Sequence, residues 1–297
     1  MNATLKKILW PLVIIRRWHE NYLRKHNPEK LFSIWHKRST GKYLSIDNPQ
    51  TLDDKIAYMA FRTDTTEWSR LADKVRVREY VEECGYGGCL PQLYGTWERA
   101  EDIDFEKLPN AFVIKTNNAS ATNILVRDKS NADFKKICQQ LDRWLKVDYG
   151  FETCQPHYSR IKPLILAEEF LGFKENKKKS LNDYKFYCVN GTPMYVIVYT
   201  DRVPNSHDMK RTIYDMDWQP HQEFLGRYAV AGPNVEQPKC FGKMKEMAEC
   251  LSHGFPFVRI DFYDVNDRPV FGEMTFTPGM QEVSTEFVSM LGNKLSL

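Results

Sequence analysis

The sequence predicts an α+β fold in which antiparallel strands are covered by helices. Two hairpins and the segments around them carry that reading. "DYKFYCVNGTPMYVIVYTDR" is a pair of β-forming runs joined by Asn190-Gly191, residues that supply the positive φ angles of a type I′ turn. "FVRIDFYDVNDRPVFGEMTFTPG", from Phe257 to Gly279, reads as a second hairpin. Several segments before and between them space their apolar residues for helices, among further short strands. Hairpins mixed with helices define the α+β class.

The chain up to about Leu71 reads as helical. Its start, "LKKILWPLVIIRRWHENYLRKH", sets an apolar run between basic flanks. The run Ile8–Ile15 is too short to span a bilayer and contains Pro11. It lacks a small-residue cleavage site, which argues against a signal peptide. Two readings fit residues 1–25: peripheral contact with an anionic membrane face, or a helix packed on the body of the protein. In "NPQTLDDKIAYMAFR", Thr51 is placed as an N-cap with Asp53 and Asp54 in the first turn. "ADKVRVREYVEECGYGG" starts a helix near Asp73 and stops it at Gly85. "LYGTWE", "AFVIKT" and "NILVRD" are short strands, the last two flanking the loop "NNASAT". "DFKKICQQLDRWLKVDY" is an amphipathic helix, "KPLILAEEFL" an apolar strand ending in acids, and "FGKMKEMAECLSH" a helix before the last hairpin.

The totals allow a sizeable core: 297 residues with 42% hydrophobic composition. A net charge of +3 gives no electrostatic argument for nucleic acid. The seven cysteines contain no CxxC, and Cys84 and Cys89 have no second pair to complete a zinc site. That pattern suits a reducing cytoplasm.

The chemistry-bearing residues stand at strand ends and on strand faces. Asn266-Asp267-Arg268 read as a three-residue loop pairs Val265 with Pro269, Tyr263 with Phe271 and Asp261 with Glu273. Arg259, Asp261, Glu273 and Thr275 then share one face, and Ile260, Phe262, Met274 and Phe276 the other. Opposed like charges destabilise a sheet. A divalent cation would compensate them, and on that view replacing Glu273 by Gln stabilises the empty protein. The alternative is an ion-paired or solvated face. Lys74 begins a helix, and Lys115 stands in an apolar strand before a loop of small residues. Lysines there suit phosphate oxygens, and such a loop lets backbone N–H groups approach a phosphate. "LILAEEFL" can offer polar backbone and a carboxylate to a purine edge. "DYKFYC" puts Asp183, Lys185 and Tyr187 on one face, and Arg202 closes the same hairpin.

In this order the pieces resemble the ATP-grasp superfamily, and most of all its TupA-like branch among polysaccharide-biosynthesis proteins. The resemblance runs from about Asn48 to Gly279, through "NPQTLDDKIAYM", "LADKVRVREYV", "LPNAFVIKTNNAS", "HYSRIKPLILAEEFL", "NDYKFYCVNG" and the R-x-D…E-x-T-x-x-PG hairpin. It implies an N-terminal helical extension (1–70) and two α+β subdomains (71–165 and 166–297) gripping a nucleotide. It implies ATP and Mg²⁺ as cofactors. Lys74, Lys115, Asn117 and Ser120 would lie at the phosphates, and Glu168, Glu169, Phe170 and Leu171 at the adenine. Asp183 would face the ribose. Asp261, Glu273 and Thr275 would ligate the metal, with Arg259, Lys185 and Arg202 as the catalytic set. Two features depart from the family pattern: the phosphate loop lacks glycine, and Thr275 stands where the family has an asparagine ligand. The resemblance implies a carboxylate–amine ligase acting through an acylphosphate on a small-molecule or lipid-linked glycan substrate. Its setting would be bacterial surface-polysaccharide synthesis, in the cytoplasm or against the inner face of the membrane. The alternatives are a glycosyltransferase using a nucleotide-sugar and a non-catalytic nucleotide-binding module.

Overall fold

The computed structural model describes residues 3–172, 181–201 and 209–297. Arg202 lies outside them. The N-terminal region is helical, as expected: α1 (Ala3–His26), α2 (Pro28–Thr40), α3 (Leu52–Arg62) and α4 (Thr66–Ala72). Asn27 caps α2 with Pro28 in its first turn. Thr51 caps α3 through a reciprocal capping box with Asp54. After α4 the chain turns at Asp73, whose Oδ1 accepts from Val75 N at 2.9 Å, and α5 begins only at Val77 (Val77–Glu83). Lys74 therefore sits in the turn before the helix rather than in it.

The first sheet has strand order β1-β4-β2-β3, with β1 Leu93–Trp97, β2 Phe112–Thr116, β3 Asn123–Val126 and β4 Ile165–Glu169. Helix α6 (Phe134–Leu145) covers one face, burying Ile137 and Leu141 with Phe112, Ile114, Ile165 and Ala167. The helix expected to run on to Tyr149 ends at Leu145, and Tyr149 opens the short α7 (Tyr149–Thr153), followed by α8 (Pro156–Ser159). The subdomain boundary expected at 165/166 meets the first residues of β4. That strand pairs with β1 and β2, so the chain leaves this sheet after Glu169.

The second sheet has order β10-β9-β5-β6-β7-β8. Its strands are β5 (Asp183–Val189), β6 (Thr192–Thr200), β7 (Lys210–Asp215), β8 (Val230–Ala231), β9 (Phe257–Asp264) and β10 (Pro269–Thr275). Asn190 and Gly191 make the β5–β6 turn with φ of 49° and 75°. Helix α9 (Phe241–Ser252) packs Met244, Met247 and Leu251 onto one face, where Phe186, Ile260 and Phe262 are fully buried. The C-terminal helix α10 (Thr285–Lys294) lies against α3. A Cβ at Gly292 would come within 2.6 Å of Leu52 N, and Lys55 Nζ donates to Gly292 O and Leu295 O at 2.9 and 2.8 Å. The strands β7 and β8 carry no hairpin signal and were not expected from sequence.

The final hairpin corrects the expected register. Asn266 and Asp267, at φ 55° and 62°, form a two-residue turn closed by Val265 N to Arg268 O at 2.9 Å. Asp264 then pairs with Pro269, Tyr263 with Val270 and Phe262 with Phe271. A bulge at Gly272 adds one residue and restores Asp261 opposite Glu273. Gly272 fits there because a Cβ would meet Asp261 O at 3.0 Å. The turn is one residue shorter than the sequence pattern suggests and the bulge adds one back, so the two differences cancel at the acids.

Candidate active site

Three neighbouring strands set Lys185, Asp261 and Glu273 side by side: Lys185 pairs with Asp261 on β9, and Asp261 with Glu273 on β10. Period-two alternation then puts Arg259 and Thr275 on the same face. Arg259 Nε and Nη2 donate to Asp261 Oδ1 and Oδ2 at 2.6 and 2.7 Å. The same Nη2 reaches Glu273 Oε1 at 3.1 Å and Thr275 Oγ1 at 3.0 Å. Lys185 Nζ lies 2.7 Å from Asp183 Oδ2 and also donates to Asp261 Oδ2.

This answers how opposed acids persist in the sheet. Cations of the chain itself compensate them, which is the ion-paired alternative, and the pair does not depend on a bound metal for its balance. Burial pushes the Asp261 carboxyl above its usual range against the pull of Arg259 and Lys185. Burial also acts upward on Glu273, but Lys74, Arg259, Lys185 and Lys115 together hold it at about 2. Those four cations come from both sheets or their approaches, so Glu273 marks where the two halves face each other. Its side chain keeps 34% of its surface open, and Lys74 Nζ stands 3.9 Å from Oε2.

The first sheet brings the other wall. Lys115 is ion-paired with Glu168 from the adjacent strand β4, both side chains largely enclosed. Glu168 therefore points at the lysines, while Glu169 faces outward and accepts from Gln92 N at 3.3 Å. Burial lowers the Lys74 ammonium below its usual range, opposed by Glu273 and reinforced by Lys115, and Nζ donates to Ala119 O at 2.8 Å.

In the small-residue loop, Asn117 does not offer its side chain to a ligand. Its Nδ2 donates to Asp73 Oδ1 at 2.9 Å and to Lys162 O at 3.1 Å, and its Oδ1 accepts from Leu164 N at 2.7 Å. It ties the loop to the turn that carries Lys74. The neighbouring Asn118 Oδ1 is buried with no hydrogen-bond partner among the described residues. Ser120 is exposed, and Ala121 takes a positive φ of 58° where glycine would be the easy choice.

Beyond Glu169 the chain passes Phe170, which is buried under the Arg127 guanidinium at 4.9 Å. A cavity of about 150 Å³ opens there, lined by Leu90, Glu169, Leu171, Pro269 and Val270. It joins the expected adenine segment to the start of β10. Tyr149, Tyr158 and Arg78 were missed by sequence reasoning. Tyr149 is hydrogen-bonded at Ser120, Tyr158 lies buried near Glu273 and Arg259, and Arg78 lies near Glu168. No periodicity or motif marks them, because each reaches the cluster from an element packed against it.

Oxygen ligands suit Mg²⁺. Glu273, ionised and partly open, fits that role. Asp261 fits only once Arg259 and Lys185 release its oxygens, and Thr275 supplies a hydroxyl already shared with Arg259. Among the described residues no three His, Cys, Asp or Glu side chains gather into a metal cage.

Two sheets presenting lysines and acids to each other, joined just beyond an apolar strand that ends in two glutamates, define a fold of the ATP-grasp class, typical of ATP-dependent ligases. A family model described as TupA-like ATP-grasp matches residues 54–296, and the chain belongs to that family. No curated protein matches its sequence. Among solved structures it is similar to D-alanine–D-alanine ligase from Bacillus anthracis complexed with ATP, at 13% identity and a TM-score of 0.45, covering 78% of this chain and 66% of that one. It is also similar to the Helicobacter pylori D-alanine–D-alanine ligase, at 15% identity and a TM-score of 0.45, covering 84% and 70%. A third is phosphoribosylamine–glycine ligase from Thermotoga maritima, at 15% identity and a TM-score of 0.42, covering 70% and 48%. The chain thus spans from about half to about two thirds of the length of these enzymes.

Proposed function

We propose that the space between the sheets binds ATP and that the protein is an ATP- and Mg²⁺-dependent ligase activating a carboxylate. The observation that carries this is the convergence on Glu273 of Lys74 and Lys115 from one side and Arg259 and Lys185 from the other. A triphosphate is the ligand such a set of cations suits, since each can exchange a carboxylate partner for a phosphate oxygen. The cavity at Leu171 and Val270 takes the base, with the backbone after Glu169 along its edge.

The substrate carboxylate oxygen attacks the terminal phosphorus, the bond from that phosphorus to the bridging oxygen breaks, and ADP leaves. The acylphosphate then loses phosphate to an attacking amine. Such transfer needs positioning and charge neutralisation more than a covalent residue. Lys74 and Lys115 hold phosphate oxygens, and Arg259 stabilises charge on the transferring group. Mg²⁺, held by Glu273 and Asp261, would add neutralisation of the phosphates. A bacterial surface polysaccharide is the setting the family suggests. The test is calorimetric titration with Mg-ATP, followed by an ADP-release assay against carboxylate and amine panels. Binding of UDP- or GDP-sugars in preference to ATP overturns the reading.

We also propose that α1 rests on an anionic membrane face. Ile15 and Trp18 are 62% and 69% exposed beside Arg16 and Arg17, while among the side chains described from Val13 onward the helix buries Leu23, against Leu31 and Cys154. No described helix is long and apolar enough to cross a membrane. Trp18→Ala should reduce sedimentation with vesicles containing phosphatidylserine; unchanged binding overturns it.

A further inference from the structure

A second cavity, of about 580 Å³, opens between α2, α3, α7 and the segment that continues β10. Its size lies within the range of about 300–1,000 Å³ usual for small-molecule pockets. Thr277 and Pro278, just past the Thr275 hydroxyl, form one side. Thr277 Oγ1 donates to Gln155 Oε1 at 2.6 Å, which ties the end of the β10 segment to the end of α7. The cavity therefore adjoins the carboxylate cluster along the chain.

Its chemistry differs from that of the phosphate site. None of the residues lining it is a lysine or arginine, and its acids Asp53 and Glu152 are already matched by His36 and Arg24, so a charged ligand finds no unpaired counter-charge there. His36 sits between two acceptors, Lys42 O at 2.8 Å from Nδ1 and Asp53 Oδ2 at 2.7 Å from Nε2. Both ring nitrogens are thus placed to donate, and the imidazolium cancels the charge of Asp53. Asp53 Oδ1 is buried with no hydrogen-bond partner among the described residues, on a side chain only 8% exposed. A buried carboxylate oxygen of that kind calls for a donor, and its charge is already balanced, so a neutral O–H serves better than an ammonium. Phe32 and Trp35 provide aromatic walls, and Thr40, Gln155 and Gln281 provide uncharged polar groups. A ring with an apolar C–H face and hydroxyls on its edge matches all three features.

We infer that this pocket binds a neutral sugar ring, with a hydroxyl donating to Asp53 Oδ1 and a ring face against Trp35. That this sugar belongs to the ligase's substrate rests on the reading proposed above; the binding itself does not. The test is calorimetric titration of the full chain with methyl glycosides of common hexoses and N-acetylhexosamines. Glycuronates and ethanolamine serve as charged counterparts, and Mg-ATP is titrated separately.

A neutral glycoside should bind. Asp53→Asn, which turns the open acceptor into an amide, should weaken it by about tenfold or more. Trp35→Leu should do the same should Asp53→Asn fold poorly, and Mg-ATP affinity should hold within about twofold in both. Failure of every neutral glycoside, preference for the charged ligands, or binding that survives both substitutions overturns the inference. Glycoside binding without any ATP binding supports the pocket and overturns the ligase.

Discussion

The two faces of β5, β9 and β10 are made by alternate residues of the same strands and are stabilised by opposite means. On one face Phe186, Ile260, Phe262 and Met274 are buried among many apolar neighbours, and none depends on a single partner. On the other, Lys185, Arg259, Asp261 and Glu273 are tolerated only through specific hydrogen-bonded partners. The charged face is complete without a ligand. On the proposed reading, a nucleotide would bind there by an exchange of partners, carboxylate for phosphate, rather than by filling an electrostatic void.

Arg259→Met should break the charged face most severely. It leaves Asp261 and Glu273 short of their shared donor, and loss of one member of a buried pair costs about 3–5 kcal/mol. Urea unfolding measures it, and ADP release should vanish. Phe262→Ala on the opposite face should cost a similar amount, about 3–5 kcal/mol, through its cavity. The comparison sharpens with Asp261→Asn as a second change. It should recover much of the Arg259→Met loss, because the stranded charge goes with it, and recover nothing of the Phe262→Ala loss. Equal responses would show that the faces are not stabilised differently.

Lys115→Met should weaken Mg-ATP by about tenfold, the equivalent of one charge-assisted hydrogen bond. Lys129 is the contrasting lysine. Its Nζ donates to the carbonyls of Phe105, Glu106 and Leu108 at 3.1, 2.9 and 3.0 Å, a purely structural role. Lys129→Met should lower the melting temperature and leave calorimetric ATP affinity unchanged. Matching effects on affinity would remove Lys115 from the site.

Glu273→Gln tests a sign. The strand pattern alone suggests that removing one of two opposed acids stabilises the empty protein. The structure reverses that, because Arg259 donates to both. The variant should lose about 1 kcal/mol at pH 7, the partly open side chain keeping the figure small. The folded carboxyl is held at about 2 against an ordinary 4.5, so its contribution is present above 4.5 and is lost as pH falls towards about 2. The gap between wild type and variant should close over that window. A variant more stable than wild type would favour the metal reading over the ion-paired one.

How much of this was legible follows from which interactions are local. The Thr51 cap of α3, the Asn190-Gly191 turn and the two faces of the last hairpin depend on residues a few positions apart, and the sequence shows them. The pairing of Asp261 with Glu273 was reached despite a misplaced turn, because a missed bulge at Gly272 restored it. The part of the compensation that Arg259 supplies was open in the sequence as the ion-paired alternative, two residues from Asp261; the part from Lys185 and Lys74 was not legible, since they arrive from strands and turns far along the chain. Asn117 looked like a ligand residue because it stands in the right loop, yet its partners at Asp73, Lys162 and Leu164 reveal a brace. The pocket under α2 left no signal at all: Asp53 read as an ordinary first-turn acid of α3, and His36 carried no pattern.

The smallest expected effect separates that pocket from the charged sheet face by pH alone. Burial acts to lower the His36 pKa, but the hydrogen bond and charge of Asp53, the Lys42 carbonyl and the charge of Asp54 together raise it above 6.5. A folded pKa above the unfolded one means that the protonated form is favoured by folding. The stabilisation is therefore fully present below 6.5 and is lost as pH rises through the raised value. This is opposite in sign to Glu273, whose contribution fades on acidification. Comparing wild type with His36→Gln cancels titrations elsewhere, including that of His221, which both proteins share. The melting-temperature gap between them should be widest near pH 5.5, correspond to about 0.5–1.5 kcal/mol, and shrink steadily towards pH 9. If the gap stays constant across that range, His36 is not charged against Asp53. Asp53 would then carry an uncancelled charge, and the preference of the pocket for a neutral ligand would lose its electrostatic basis.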